Sequence, residues 1–472
     1  MNAIRKGIAS LSGVFLLASC AVQRYRPAPL VPSATASAFE SRNLADPGLQ
    51  SFEEQNLGHP VSPWPPKTWD LQTLSLAALY FNPALDSARA RVAGTGAALA
   101  TAGARPNPSL SIAPGIPTPY LLTLDFAFPI ETAGKRRHRT QVARSLDQAA
   151  RFELADSAWT IHSGVRIALL NYLLASRSLE SFRSEENVRE EQINILGQIF
   201  SAGEIPRQGV DLARIELSKT HMAISMAEGQ VRETKAALAA AVGLPVAALQ
   251  SVDFSWPNID TPPSAESLSP GEIQRGAVLN RLDLRRSLAQ YAAAEAALQL
   301  EIAKQYPDIN IGPGYTYEEK HSFFTLGLST AVPLFNRNQG PIAEAEAHRK
   351  EAAAAFLERQ AQIIAKSERA LALYTAALAE LAEAESLRKL QEAQLQIMQE
   401  TIRAGADNLL SLHNVEIQSW VLARAQLDAL ARAQRALGKL EDAVQRPVDP
   451  GEMFTITPES PALIGPPKDL NR

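Results

Sequence analysis

Hydrophobic positions along this chain follow two different periods, and the switches between them predict its elements. From Leu121 onward, Leu122, Leu124, Phe126 and Phe128 are apolar, whereas Thr123, Asp125 and Ala127 between them are small or polar. Phe324, Leu326, Leu328 and Val332 alternate in the same way with Thr325, Gly327, Ser329 and Ala331. Leu110, Ile112 and Ile116, and again Ile309, Ile311, Tyr315 and Tyr317, carry the same period of two. Such alternation predicts β-strands with one apolar and one wet face, within about residues 109–130 and 309–333. The second strand of each pair runs about ten residues, the length of a tilted membrane-spanning strand. A half-buried hairpin of a soluble protein has the same pattern. Four such strands with small residues on the opposite face, behind a lipoprotein-type leader, favour the membrane reading.

After each strand pair the period changes to three and four. No proline occurs from Gly134 to about Ala202, or from about Ile342 to Ala404. A helix of about 65 residues spans on the order of 100 Å. In the first rod Ile161, Val165, Ala168, Tyr172, Ala175, Leu179, Phe182, Ile193, Leu196 and Phe200 share a face, interrupted near Glu186 and Arg189. Leu371, Tyr374, Leu378 and Leu381 do the same in the second. This spacing predicts coiled packing of rod on rod, with alanines allowing close approach. Glycine after Ala202 (Gly203) and after Ala404 (Gly405) predicts helix ends with left-handed caps. Further helices then start near Val210 and Leu409 and return to about Val242 and Val444. Lys135, Arg136, Arg137, His138 and Arg139, where the first rod leaves the strands, read either as a membrane rim or as a solvated helix start.

The two halves repeat each other. Asn82-Pro83-Ala84-Leu85 aligns with Arg281-Leu282-Asp283-Leu284 at an offset of 199 residues, and Pro108–Ile112 with Pro307–Ile311 at the same offset. Phe128-Pro129-Ile130 then matches Val332-Pro333-Leu334, and Ser201-Ala202-Gly203 matches Arg403-Ala404-Gly405. A period this long is duplication of a half-protein rather than a solenoid repeat. The expected division is a leader at 1–20, a proline-rich segment at 21–67, a first repeat at 68–245, a linker at 246–270, a second repeat at 271–446 and a proline-rich tail at 447–472. Residues 21–67 and the tail are expected to be extended, covering or disordered.

The leader changes the picture most. Arg5 and Lys6 precede an apolar run from Ile8 to Leu17, too short to span a bilayer but the right size for a signal peptide. It ends Leu17-Ala18-Ser19-Cys20, which resembles a bacterial lipobox, so Cys20 is the expected site of acylation. Ala21 after it resembles outer-membrane retention. Because Cys20 is the sole cysteine, a disulfide within the chain and a cysteine-based metal cluster are both excluded. A net charge of −4 gives no basic surplus and argues against nucleic-acid binding.

Enzyme chemistry has little footing. Gly312-Pro313-Gly314 lacks the third glycine of a dinucleotide loop and falls within a strand. Glu318-Glu319-Lys320-His321 reads as a solvated hairpin turn. The seven histidines are scattered and read as surface residues, His221-Met222 included, so no metal site and no cofactor are expected.

The duplicated order, the run Pro333-Leu334-Phe335-Asn336-Arg337-Asn338-Gln339-Gly340 and the two Ala-Gly tips resemble the TolC family of outer-membrane efflux channels. The resemblance covers about residues 68–445, and the Asn336–Gly340 stretch with the lipobox is most like its CzcC and CusC branch. It implies a mainly α fold with a small transmembrane β part, four strands per chain entering a shared barrel of a homotrimer, above an α-helical periplasmic tunnel. It further implies a passive exit duct for metal cations or drugs, docked through a periplasmic adaptor to an inner-membrane transporter of the RND type. Lipid contact falls on Leu122, Leu124, Phe126, Phe128, Phe324, Leu326 and Leu328, and adaptor contact on Ala202, Gly203, Ala404 and Gly405. Many members carry entrance carboxylates six and nine positions after the second tip glycine. Here Ser411 and Asn414 stand there, with Gly209 in the other half, leaving Asp407 and Asp211 as the nearest acidic candidates. Two other functions remain open: a periplasmic coiled-coil adaptor or structural lipoprotein, and the outer-membrane component of a type I polypeptide secretion system.

Overall fold

A computed structural model describes residues 24–115, 121–448, 454 and 456–463. Cys20, the leader, Ile116 and much of the tail lie outside the described residues. Helix α1 (Pro32–Glu40) lies, among the described residues, in a separate unit of residues 24–42 and is exposed along its length. The body, the described residues from 43 to 463, opens with α2 (Pro47–Leu57), a two-residue β1 (Thr68–Trp69) and α3 (Leu71–Phe81).

Within the proline-rich segment, residues 32–40 and 47–57 are helical rather than extended. Pro32 and Pro47 each sit in the first turn of a helix, where the missing N–H costs nothing and the fixed φ is already helical. Asp46 caps α2, accepting from Gly48 N at 2.7 Å and Leu49 N at 3.2 Å. Leu44, Leu49 and Phe52 then join the core.

The duplication is visible element by element. The first half runs α4 (Pro83–Gly103), β2 (Ser109–Pro114), β3 (Leu121–Ile130), α5 (Lys135–Ser201) and α6 (Arg207–Val242). After β4 (Asp253–Phe254) and α7 (Pro270–Asn280), the second runs α8 (Leu282–Ala303), β5 (Ile309–Glu318), β6 (His321–Thr330), α9 (Gln339–Arg403) and α10 (Leu409–Val444). The rods α5 and α9 hold 67 and 65 residues, and α6 and α10 hold 36 each. Near its start α5 meets α4 through Thr95–Asp147 and Arg139–Ala102, and near its end it meets α6 through Arg183–Glu228. Each rod thus passes from a strand-side helix pair to a tip-side hairpin.

The four strands form one antiparallel sheet in the order β2-β3-β5-β6, so β2 and β6 are its edges. The core lies midway along the rods, where α3, the middle of α5, the end of α10 and residues 244–259 converge. Leu74, Leu79, Leu169, Leu170, Leu244, Leu249 and Ile259 are fully buried there. The expected linker is thus packed: Trp69 and Phe254 pair in a parallel β1–β4 bridge, and Tyr374 Oη donates to Pro263 O. Of the tail, Phe454 and Leu463 are buried, and Phe454 stacks on His162 with ring centroids 3.8 Å apart.

Candidate channel surfaces: the strand face and the helix tips

Register decides what the sheet presents. Leu110 pairs with Phe126, Leu124 with Tyr315 and Tyr315 with Phe324, while Phe128 pairs with Ile311 and Ile311 with Leu328. Opposite residues of a ladder share a face, so these apolar side chains make one continuous surface. On the reverse face Ser111 pairs with Asp125, Asp125 with Gly314 and Gly314 with Thr325. Phe324 and Leu326 are 83% and 79% exposed, values that no soluble core would leave. Phe126, Phe128 and Leu328 are also exposed, and Leu122 and Leu124 are half-buried.

Glycine permits the close spacing of this sheet. A Cβ on Gly314 would stand 2.4 Å from Thr325 Oγ1 and 2.5 Å from Asp125 Oδ1. One on Gly312 would stand 1.4 Å from the carbonyl oxygen of Phe126. At the β5–β6 turn, Glu319 and Lys320 both have positive φ (43° and 74°), the geometry of a tight two-residue hairpin. Below the sheet, Lys135 Nζ bonds Asp308 at 2.7 Å, and Arg139 bonds Glu131 and the carbonyls of Ala102 and Ala104. Two of the five basic residues at the rod start therefore staple strand to helix.

The two tips share one geometry. Gly203 (φ 81°) donates to Phe200 O and Glu204 N to Ile199 O; Gly405 (φ 71°) donates to Ile402 O and Ala406 N to Thr401 O. Each is a Schellman closure that satisfies the last carbonyls of a rod. Ala202, Gly203, Ala404 and Gly405 are all exposed, and a Cβ at either glycine would meet nothing within 4 Å. These glycines are needed for φ, not for space.

The entrance candidates are divided among different tasks. Asn408 caps α10 by accepting from Ser411 N at 3.0 Å, which places Ser411 in its first turn. Asp407 is exposed and its Oδ1 accepts from Asn408 N at 2.7 Å. Asn414 accepts from Gln192 on α5 at 2.9 Å and so ties α10 to the first rod. Gly209 is half-buried in the first turn of α6, and Asp211 is flanked by Arg207 at 3.5 Å and Arg214 at 3.9 Å.

Sequence reasoning missed the charged groups inside the helical body. The expectation that all histidines are superficial fails for two. His162 is 2% exposed, bonds Ser75 through Nδ1 at 2.8 Å, and burial together with Arg166 pushes its pKa down to about 3. His413 is buried between Glu416 and Glu191. Arg166 and Glu441 form an ion pair at 3.0 Å with both side chains 3% exposed. The apolar face of α5 breaks near Glu186 because Glu185 is buried there, holding Arg189 at 2.7 Å and Arg424 at 2.5 Å. Glu53 has neither oxygen hydrogen-bonded, and burial with Asp70 nearby raises its pKa to about 8. The register break at Glu186 was the one signal in the sequence that pointed to any of them.

Among the described residues no helix is long and apolar enough to cross a membrane. A family model described as outer membrane efflux protein matches residues 74–244 and 275–444, one match for each half. The chain is 24% identical over 222 residues to the cobalt-zinc-cadmium resistance protein CzcC of Cupriavidus metallidurans, covering 46% of this chain and 51% of that protein. It is 22% identical over 223 residues to the pyoverdine export outer membrane protein OpmQ of Pseudomonas aeruginosa, covering 46% of each. It thus spans about half the length of these curated relatives. The crystal structure of the outer membrane protein VceC of Vibrio cholerae superposes with a TM-score of 0.63 at 21% identity, over 80% of this chain and 96% of that one. Both repeats, with the strand pair and the rod-and-hairpin of each, fall within the matched stretches, and the chain belongs to the outer membrane efflux protein family.

Proposed function

We propose that three copies of this chain close their sheets into one membrane-spanning barrel and act as a passive exit duct. One observation carries the reading: a four-stranded sheet with an exposed apolar face, a small and polar reverse face and two open edges. Unpaired backbone groups cannot face lipid, and membrane barrels need at least about eight strands. Edges β2 and β6 must therefore pair between copies. Three is the number that the TolC-family resemblance implies. On this reading Leu122, Leu124, Phe126, Phe128, Phe324, Leu326 and Leu328 meet lipid, and Cys20 carries an acyl anchor in the outer membrane.

The tips at Ala202–Gly203 and Ala404–Gly405 then point into the periplasm and meet an adaptor, which couples the duct to an inner-membrane transporter of the RND type. With no energy source of its own, the duct follows the pump. The CzcC similarity supports metal cations as cargo, and the OpmQ similarity supports small organic molecules.

Planar-bilayer recording of the purified protein tests the duct. Discrete conductance steps from a species of trimeric mass are expected; a monomer that makes no pores refutes it. With the exposed Asp407 near the entrance and the usual carboxylate pair replaced by Ser411 and Asn414, Asp407→Asn is expected to raise resistance to block by multivalent cations. Unchanged block removes Asp407 from the gate. Deleting the gene and profiling sensitivity to zinc, cobalt, cadmium, copper and dyes identifies the cargo.

A further inference from the structure

The α5–α6 hairpin carries three ligand-type side chains that converge about four turns (~22 Å) from its tip. One donor atom each from Glu186, Glu190 and His221 lies within 4.8 Å of the other two. Glu186 and Glu190 are four residues apart on α5 and share a face, and His221 reaches across from α6 with Nε2 2.9 Å from Glu186 Oε1. Like charges at this spacing repel. Several other carboxylates of the hairpin have lysine or arginine partners: Glu185 has Arg189 and Arg424, Asp211 has Arg207 and Arg214, Glu216 has Lys219 and Glu228 has Arg183. Among the described residues neither Glu186 nor Glu190 is paired with lysine or arginine, and one imidazole hydrogen bond cannot compensate both.

Two other histidines sit beside two carboxylates each, but in a different arrangement. His413 meets Glu416 through Nδ1 and Glu191 through Nε2, and His348 meets Glu351 and Glu344 the same way. Their carboxylates lie on opposite sides of the ring and cannot share an ion. The Glu186 group brings all three donors to one place.

We propose that Glu186, Glu190 and His221 bind a divalent cation of the zinc, cobalt and nickel class, bridging α5 and α6 with the remaining positions left to water. Imidazole with carboxylate selects this class, because calcium takes six to eight oxygen ligands and magnesium an octahedral oxygen shell. Three protein donors plus water match the coordination of an open zinc site. The bridge fixes the register of the hairpin above the tip. It stands apart from the exit-duct reading, since binding is measured on the purified chain whether or not it conducts.

The test titrates Co²⁺ into metal-stripped full-length protein in detergent, without a histidine tag, and follows visible absorption. One equivalent per chain is expected, displaced by Zn²⁺ and not by millimolar Mg²⁺. His221→Ala and Glu190→Gln, both at exposed helix positions, should each weaken Co²⁺ binding at least about tenfold and leave metal-free helical content unchanged. His348→Ala should bind as the parent does. Absence of stoichiometric binding up to about 1 mM, or equal affinity in parent, His221→Ala and Glu190→Gln, reduces the cluster to a hydrogen bond and overturns the proposal.

Discussion

Arg166 and Glu441 offer the sharpest test of how the first rod is held to the second hairpin. Arg166 Nε lies 3.0 Å from Glu441 Oε2, Arg166 Nη1 donates to Gln434 O at 3.1 Å, and the guanidinium stacks 5.0 Å over Trp256. Glu441 Oε1 also accepts from Val448 N at 3.0 Å. Taking both charges out of water costs several kcal/mol per ion, so the pair adds little net stability over apolar residues of the same volume. Removing one partner is different, because it leaves the other charged and buried. Arg166→Met is therefore expected to destabilise by about 3–5 kcal/mol, and Glu441→Gln by about 2–4 kcal/mol, since Gln434 and Trp256 still hold the arginine. The double variant should cost about 2 kcal/mol or more less than the sum. Loss of helical circular dichroism in urea measures all three. A double variant equal to the sum within about 0.5 kcal/mol would falsify the account of a desolvated, mutually dependent pair. Gly438 gives an independent check: a Cβ there would stand 2.4 Å from Arg166 Nη1, so Gly438→Ala should displace the guanidinium and weaken the same network.

Two buried groups set opposite pH dependences. His162 binds its proton at about 3 in the fold and near 6.5 when unfolded, so acid favours unfolding. Its contribution is complete above about pH 6.5 and declines by up to about 1.4 kcal/mol per unit as pH falls toward 3; His162→Gln should flatten that limb of a stability–pH curve. Glu53 stays protonated to about pH 8 in the fold but ionises near 4.5 when unfolded, so its contribution falls as pH rises between those values. Glu53→Met should then stabilise by about 2 kcal/mol or more at pH 8 and by much less at pH 5, and an equal gain at both refutes the neutral buried carboxyl. On the strand face, Leu326→Arg should cost about 2–4 kcal/mol of barrel stability if the residue meets lipid at mid-depth, read as lost heat-resistant trimer on a gel; Thr325→Arg, on the reverse face, should cost much less.

Much of the fold was legible along the chain because it rests on local periodicity. The alternation in Leu122–Phe128 and Phe324–Leu328, the proline-free rods, the tip glycines and the duplicated order each depend on residues close in sequence. Register follows from the same pattern, since a slip by one residue would exchange the exposed Leu326 for Thr325. Pro32 and Pro47 misled because the meaning of proline depends on position: it breaks a helix in the interior and starts one in the first turn. Tertiary structure alone decided which charges lie inside. Nothing near Arg166 announces Glu441, which stands 275 residues later and meets it only because α10 folds back onto the middle of α5. Phe454 covers His162, and His221 meets Glu186, by the same logic of distant segments brought together. Period reports which face of an element is apolar; only packing determines what that face, and the polar residues on it, will touch.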